Sequence, residues 1–324
     1  MSGSWKVIDY RVRPAKSIER KMLAETFRRL SEFSPLSDYR YVGMGSLYFS
    51  DFKLFHKAVG FESMVSIENV QDSVLQQRFH MNVPFGNVEM RFGHSSVILQ
   101  KLPWGQRTVA WMDYDGTLVA DCLSDIDYIV RHAASGSIVL LSVNAGNLTA
   151  VRGGSDDEED SAPTDPLTLL KAAIGAASVP AGVESRDLSG AGVAKVYRQV
   201  VQNVIDEALR TRNALLEEGQ KFKYRQIYNF HYKDGVRMMT VGGILYSDVD
   251  EAKVNKCAFD QLDFTRDAEL PYSIDPPNLT YMEMRQIDAL RRRPSVSLPL
   301  PTSDVRKYEQ TYRFFPNYME AEAG

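Results

Sequence analysis

The sequence predicts a doubly wound α/β fold, a Rossmann-like mixed sheet of seven strands with helices on both faces. Five strands are expected to be parallel and the last two to form a C-terminal antiparallel hairpin. Between Tyr39 and Val143, short apolar runs alternate with amphipathic stretches, and strand–helix–strand units of that kind build parallel sheets. Two β-rich runs then flank Lys233-Asp234-Gly235, which is a hairpin signal. Glycines, acids and aromatics stand just past the strand ends, where open α/β sheets bind ligands.

The first element is a helix over 14–33. Pro14 suits a first turn, and Ile18, Met22, Leu23, Thr26, Phe27 and Leu30 recur at helical spacing. Arg11, Arg13, Lys16, Arg20, Lys21, Arg28 and Arg29 stand around it against Glu19 and Glu25. They read as a solvated face, the sharper alternative being a basic wall over an anionic ligand. Strands follow at Tyr39–Val42, Met64–Ile67, Val88–Phe92, Thr108–Met112 and Ile138–Val143, with helices over 51–59, 72–80, 97–102 and 119–134 between them.

Arg152–Asp165 carries five consecutive acids among Gly, Ser and Pro. It buries too little apolar surface to offset its ordering entropy and is expected to be a mobile loop. Helices are predicted over 166–178 and 192–217, then the hairpin strands 223–232 and 236–246. A final helix opens with the capping box Thr280-x-x-Glu283 and ends at Arg291-Arg292-Arg293-Pro294. The chain thus divides into an N-terminal segment with its basic helix (1–37), a Rossmann-like domain (38–250) with an acidic loop at 152–165, and a C-terminal extension (251–324) packed on that domain.

Composition narrows the function. The 324 residues are 44% hydrophobic and 25% charged with a net charge of −4, enough for a full core and without a basic field for nucleic acid or membranes. Cys122 and Cys257 are the only cysteines, which argues against a zinc cluster or disulfide framework and for a reducing compartment. The first residues lack the apolar run of a signal peptide, and no window has the length of a membrane span. A cytoplasmic location is the expectation.

The first strand leads into Gly43-Met44-Gly45-Ser46-Leu47-Tyr48-Phe49, a turn whose glycines let backbone approach a ligand. A dinucleotide fingerprint would need glycine where Tyr48 stands, which argues against NAD but not against a cofactor without phosphates. Glu68, followed by Asn69, ends the second strand, where an acid can accept both ribose hydroxyls. Phe92-Gly93-His94-Ser95 follows the third strand and suits an adenine edge. Asp113-Tyr114-Asp115-Gly116-Thr117 follows the fourth.

Gly43-Met44-Gly45, Glu68, Asp113-Tyr114 and the late hairpin together resemble a class I S-adenosylmethionine-dependent methyltransferase. More narrowly, Tyr41–Phe52, Ser66-Ile67-Glu68 and Trp111–Asp115 resemble a bacterial family of O-methyltransferases. The resemblance implies S-adenosyl-L-methionine as cofactor, with Gly43, Gly45, Ser46 and Tyr48 near its methionine part and Glu68 and Asn69 at the ribose. It puts Phe92, Gly93 and Ser95 at the adenine and Asp113 and Tyr114 at the sulfonium. Asp113, Asp115 and His94 are the candidate bases for an oxygen acceptor. Metal-dependent O-methyltransferases place an Asp-Asn pair after the fifth strand, where this chain has Val143-Asn144-Ala145-Gly146-Asn147, so no essential metal is expected.

Two other readings compete. Val109–Leu118 also resembles the first motif of haloacid-dehalogenase-type phosphatases, with Asp113 as nucleophile, Asp115 as acid/base and magnesium between them. Ser142 and Ser247-Asp248-Val249-Asp250 would then supply the later motifs. A non-catalytic α/β module that binds a protein partner through the acidic loop or Arg291–Arg293 is the third. The basic helix and Arg291–Arg293 hint at an anionic acceptor and leave nucleic acid open; oligomeric state is not legible.

Overall fold

The computed structural model describes residues 13–148, 165–290 and 298–316. Among them are the strands β1 (Arg40–Gly43), β2 (Ser63–Glu68), β3 (Val88–Phe92), β4 (Thr108–Thr117), β5 (Ser137–Asn144), β6 (Phe222–Asp234), β7 (Val236–Ser247) and β8 (Tyr272–Ile274). The helices are α1 (Pro14–Arg28), α2 (Ser50–Val59), α3 (Ser73–Asn82), α4 (Ser95–Leu99), α5 (Ala120–His132), α6 (Pro166–Ile174), α7 (Gly192–Asn213), α8 (Glu251–Lys256), α9 (Tyr281–Leu290) and α10 (Thr302–Thr311).

One sheet holds the strands in the order β3-β2-β1-β4-β5-β7-β6-β8. β1 to β5 are parallel, β7 lies antiparallel between β5 and β6, and β8 pairs parallel with β6. The chain winds from β1 outward to β3, then returns to β4 and β5 on the other side. Right-handed crossovers put the helices of the two halves on opposite faces of the sheet.

Side chains obey this. Ile18, Met22 and Phe27 of α1, Phe52 and Phe55 of α2 and Phe79 of α3 pack on one face with Tyr41, Val109, Trp111 and Leu140. Ile98 of α4, Ile126 of α5, Leu170 of α6 and Val200 of α7 pack on the other with Val42, Ala110, Met112 and Leu141. The alternation Tyr41/Val42 and Trp111/Met112 is the period-two signature of strands buried on both faces.

The sheet has eight strands, not the seven expected. β8 pairs Tyr272, Ser273 and Ile274 with Phe230, His231 and Tyr232, and three residues are too few to show periodicity. The helix expected over 14–33 is α1 plus a 3₁₀ turn at Arg29–Glu32. β4 runs five residues past Met112, to Thr117, with an irregular register against β5 after Asp113. The helix from Thr280 is not the last, because α10 follows it. Arg291–Arg293 and residues 152–164 of the acidic segment lie outside the described residues. Among the described residues no helix is long and apolar enough to cross a membrane.

Candidate active site

Strand order reverses between β1 and β4, and their carboxyl ends border the crevice where open sheets bind ligands. The glycine turn leaves β1 here. Gly45 donates its N–H to Ser66 Oγ on β2 at 3.1 Å, and Ser46 donates to Glu68 Oε1 at 2.7 Å. The backbone then passes through two left-handed residues, Ser46 (φ 47°) and Phe49 (φ 49°), before α2 begins. For a buried phenylalanine that is a costly conformation, of order 1–3 kcal/mol, held only by its surroundings.

Neither Gly43 nor Gly45 has a positive φ. A Cβ on Gly43 would lie 2.5 Å from the Tyr41 hydroxyl, and one on Gly45 2.6 Å from the Phe49 ring. Packing of these aromatics is the constraint that the structure shows on both positions, in addition to the ligand approach expected of a glycine turn. Tyr48 is half-buried and donates its N–H to Ser46 Oγ at 3.4 Å.

Glu68 ends β2 beside this turn. Burial pushes its carboxyl up to about 8, against which the Ser46 N–H works in the lowering direction. Asn69 is exposed. The Glu68 carbonyl accepts the Gly93 N–H at 3.0 Å, and Gly93 holds φ 143°, a conformation that favours glycine. Phe92 turns edge-on to Phe79, with ring centroids 6.1 Å apart.

At the end of β4, Asp113 meets a partner that sequence patterning does not assign. Lys16 of α1, 1% exposed, places its ammonium 2.7 Å from Asp113 Oδ1, 3.0 Å from the Tyr232 hydroxyl and 2.8 Å from Glu19 Oε2. The Glu19 contact is an ion pair whose alignment falls short of a hydrogen bond. Lys16 also lies 4.3 Å over the Trp111 ring. Behind it a relay of donors converges on Glu19: Trp111 Nε1 donates to Ser142 Oγ at 2.8 Å, Ser142 pairs with Thr240 at 2.6 Å, and the Thr240 hydroxyl donates to Glu19. Asp113 keeps its side chain 22% exposed.

The solvated basic face expected of α1 holds at Arg28 but not for three other cations. Arg13, Lys16 and Arg20 are all buried, spaced three and four residues apart along one side of the helix. The signal lies on the helical wheel, where Lys16 and Arg20 each stand seven residues before Leu23 and Phe27, on the apolar arc. Asp234, at the hairpin tip, accepts the N–H groups of Ala15 (3.2 Å) and Lys16 (2.9 Å). It caps α1 from the far end of the chain.

Tyr114 points to the other face of the sheet from Asp113. Its hydroxyl donates to Asp125 of α5 and lies 3.5 Å from Ser95 Oγ. His94 sits on this side too, with Nε2 3.3 Å from Asp121 and Nδ1 2.8 Å from Ser96 Oγ. Asp115 is exposed, two residues along the strand from Asp113. Among the described residues no cluster of His, Cys, Asp or Glu has the make-up of a metal site.

The phosphatase reading loses its later motifs. Ser142 is fully buried and spent on Trp111 and Thr240. Asp248 and Asp250 come just after Ser247, and β7 pairs Leu245 with Ser137 at the amino end of β5. They stand at the opposite end of the strands from Asp113, which pairs with Ser142.

The family model described as "Putative O-methyltransferase" matches residues 8–323. No curated protein sequence matches the chain. Similar solved structures include LepI in complex with SAM, at 10% identity and TM-score 0.33, covering 64% of this chain and 43% of that one. Another is the precorrin-6y C5,15-methyltransferase of Geobacter metallireducens, at 12% identity and TM-score 0.31, covering 66% and 83%. A third is the arsenic(III) S-adenosylmethionine methyltransferase of Chlamydomonas reinhardtii, at 11% identity and TM-score 0.37, covering 65% and 64%. The chain thus spans less than half the length of LepI, and likenesses this remote add nothing to the family match.

Proposed function

The chain belongs to the O-methyltransferase family whose model spans nearly all of it, and from that premise we propose that it transfers a methyl group from S-adenosyl-L-methionine to an oxygen acceptor. The observation that carries the reading is the clasp from Ser46 N–H to Glu68 Oε1 at 2.7 Å, which fixes an acid beside the glycine turn at the neighbouring strand end. The residues fit that cofactor. Glu68 is a largely buried carboxyl group that accepts the backbone N–H of Ser46, and burial raises its pKa. Two ribose hydroxyls would supply the donors that its ionised form lacks.

When bound, the cofactor supplies an electrophilic methyl group on a sulfonium. Glu68 would accept the ribose hydroxyls, with Asn69 beside it, while Gly43, Gly45, Ser46 and Tyr48 would form the turn along the methionine part. Phe92, Gly93 and Ser95 would border the adenine, and Tyr114, expected at the sulfonium, is reassigned to that side because its hydroxyl lies 3.5 Å from Ser95 Oγ. Lys16 engages Oδ1 of Asp113, which orients the carboxylate and leaves Oδ2 to accept the acceptor's proton. Asp113 is preferred as base over Asp115, which is exposed, and over His94, which stands on the other face beside Asp121, because Lys16 orients it at the crevice.

Calorimetric titration with S-adenosylhomocysteine, NAD and Mg²⁺ in parallel tests the reading. S-adenosylhomocysteine is expected to bind in the micromolar range, about −7 to −8 kcal/mol, and equally well in EDTA. Glu68→Ala should weaken it by roughly 1.5–3 kcal/mol, the usual cost of losing hydrogen bonds to a charged group. No heat at millimolar S-adenosylhomocysteine would overturn the assignment, as would magnesium-dependent hydrolysis of an aryl phosphate that vanishes in Asp113→Asn.

A further inference from the structure

Along the buried basic side of α1, two of the three cations are answered. Arg13 Nε stands 3.8 Å from Asp234, and Lys16 meets Asp113, Glu19 and Tyr232. Arg20, one turn beyond Lys16, is not. It is 8% exposed, yet among the described residues it makes no hydrogen bond and no ion pair, and its Nε is buried without a partner. A buried guanidinium whose Nε has no acceptor among the described residues is an unfavourable arrangement in a protein interior. A bound anionic group would supply the acceptor that Nε lacks.

Its position says which acceptor. The Arg20 charge acts on both Asp51 and Tyr41. Tyr41 donates its hydroxyl to Asp51 Oδ2 at 2.5 Å, and that same hydroxyl is the atom a Cβ on Gly43 would strike. Arg20 therefore belongs to the surroundings of the glycine turn, beside a buried acid. Asp51 is 6% exposed in the first turn of α2. A guanidinium with an unpartnered Nε beside a buried carboxyl matches a zwitterion, a carboxylate for Arg20 and an ammonium for Asp51.

Resting on the methyltransferase reading, we propose that Arg20 is the receptor for the carboxylate of the cofactor's amino-acid end, within a pocket for that zwitterion that α1 completes over the glycine turn. A planar guanidinium offers a carboxylate two parallel donors, which fixes orientation as well as charge. The alternative source of an anion at Arg20 is the methyl acceptor, and the experiment separates the two.

S-adenosylhomocysteine and 5′-methylthioadenosine, which lacks the amino-acid end, are titrated into wild type, Arg20→Met and Arg20→Lys. Wild type should bind S-adenosylhomocysteine far more tightly than methylthioadenosine. Arg20→Met should weaken S-adenosylhomocysteine about 10- to 100-fold and leave methylthioadenosine within about threefold, with Arg20→Lys between.

Equal weakening of both ligands would make Arg20 a structural residue and overturn the proposal. Unchanged S-adenosylhomocysteine affinity would assign Arg20 to the acceptor instead. Equal affinity of wild type for the two ligands would refute the zwitterion pocket while leaving the cofactor reading intact. Failure to bind either would sink both.

Discussion

Replacing Lys16 by methionine removes a buried ammonium while keeping a stem of similar length over Trp111. Three oxygens lose a partner, and each fares differently. Asp113, 22% exposed, can take water. Tyr232 is neutral and loses one hydrogen bond at 3.0 Å. Glu19 is 0% exposed and retains only neutral hydroxyls, those of Thr240 and Tyr232, so its charge is left stranded. Breaking a buried pair in this way typically costs about 3–5 kcal/mol, most of it the uncompensated charge. Equilibrium urea unfolding at pH 7 should show a loss near the lower end of that range, because one of the two acids can rehydrate. Adding Glu19→Gln should recover about 1–2 kcal/mol, since the double variant strands no charge. A loss below about 1 kcal/mol, or a double variant less stable than Lys16→Met, would refute the view that Lys16 neutralises this cluster.

The turn between β1 and α2 gives two more expected outcomes. Glu68 has a folded pKa of about 8 against an ordinary 4.5, so between those values the folded protein holds a proton that the unfolded chain has lost, and stability falls as pH rises through that window. Glu68→Gln lacks this dependence, so its melting temperature relative to wild type should climb from pH 5 to pH 8 and then level; a constant difference would show the carboxyl is not buried as described. Gly43→Ala drives a Cβ to within 2.5 Å of the Tyr41 hydroxyl, displacing it from Asp51, and should cost about 1–3 kcal/mol in urea unfolding, whereas a loss under about 0.5 kcal/mol would mean that Tyr41 moves freely.

The fold is legible because strands buried on both faces write themselves as apolar runs, as at Val109–Met112 and Ile138–Val143, between helices closed by residues such as Gly60. β8 is not legible, since its three residues take their conformation from the edge of β6 rather than from their own pattern. α10 carries few apolar residues beyond Val305 and Tyr308 and gives a helical period little to register. At the site, Gly43, Glu68 and Asp113 can be found because strand ends are fixed by topology. Lys16, Glu19 and Arg20 read as solvated because charge is the stronger prior, although their wheel positions put them among Leu23, Phe27 and Leu30. The partners of Lys16 and Glu19, Tyr232 and Thr240, lie more than 200 residues away, and no local pattern encodes such a pairing.

The cap that Asp234 places on α1 also sets an order of assembly. Helix and cap are separated by 218 residues, and the Glu19–Thr240 bond by 221. A ribosome adding about 5–20 residues per second delivers α1 on the order of ten to forty seconds before the hairpin that answers its charges. Through that interval Lys16 and Glu19 have each other but neither Tyr232 nor Thr240, and the helix has no cap. Closing so long a loop adds little to the equilibrium cost, which grows only with the logarithm of length. The burden is one of timing, and it falls on the newborn chain: the crevice at the end of β1 and β4 is walled last, by the residues that were made first.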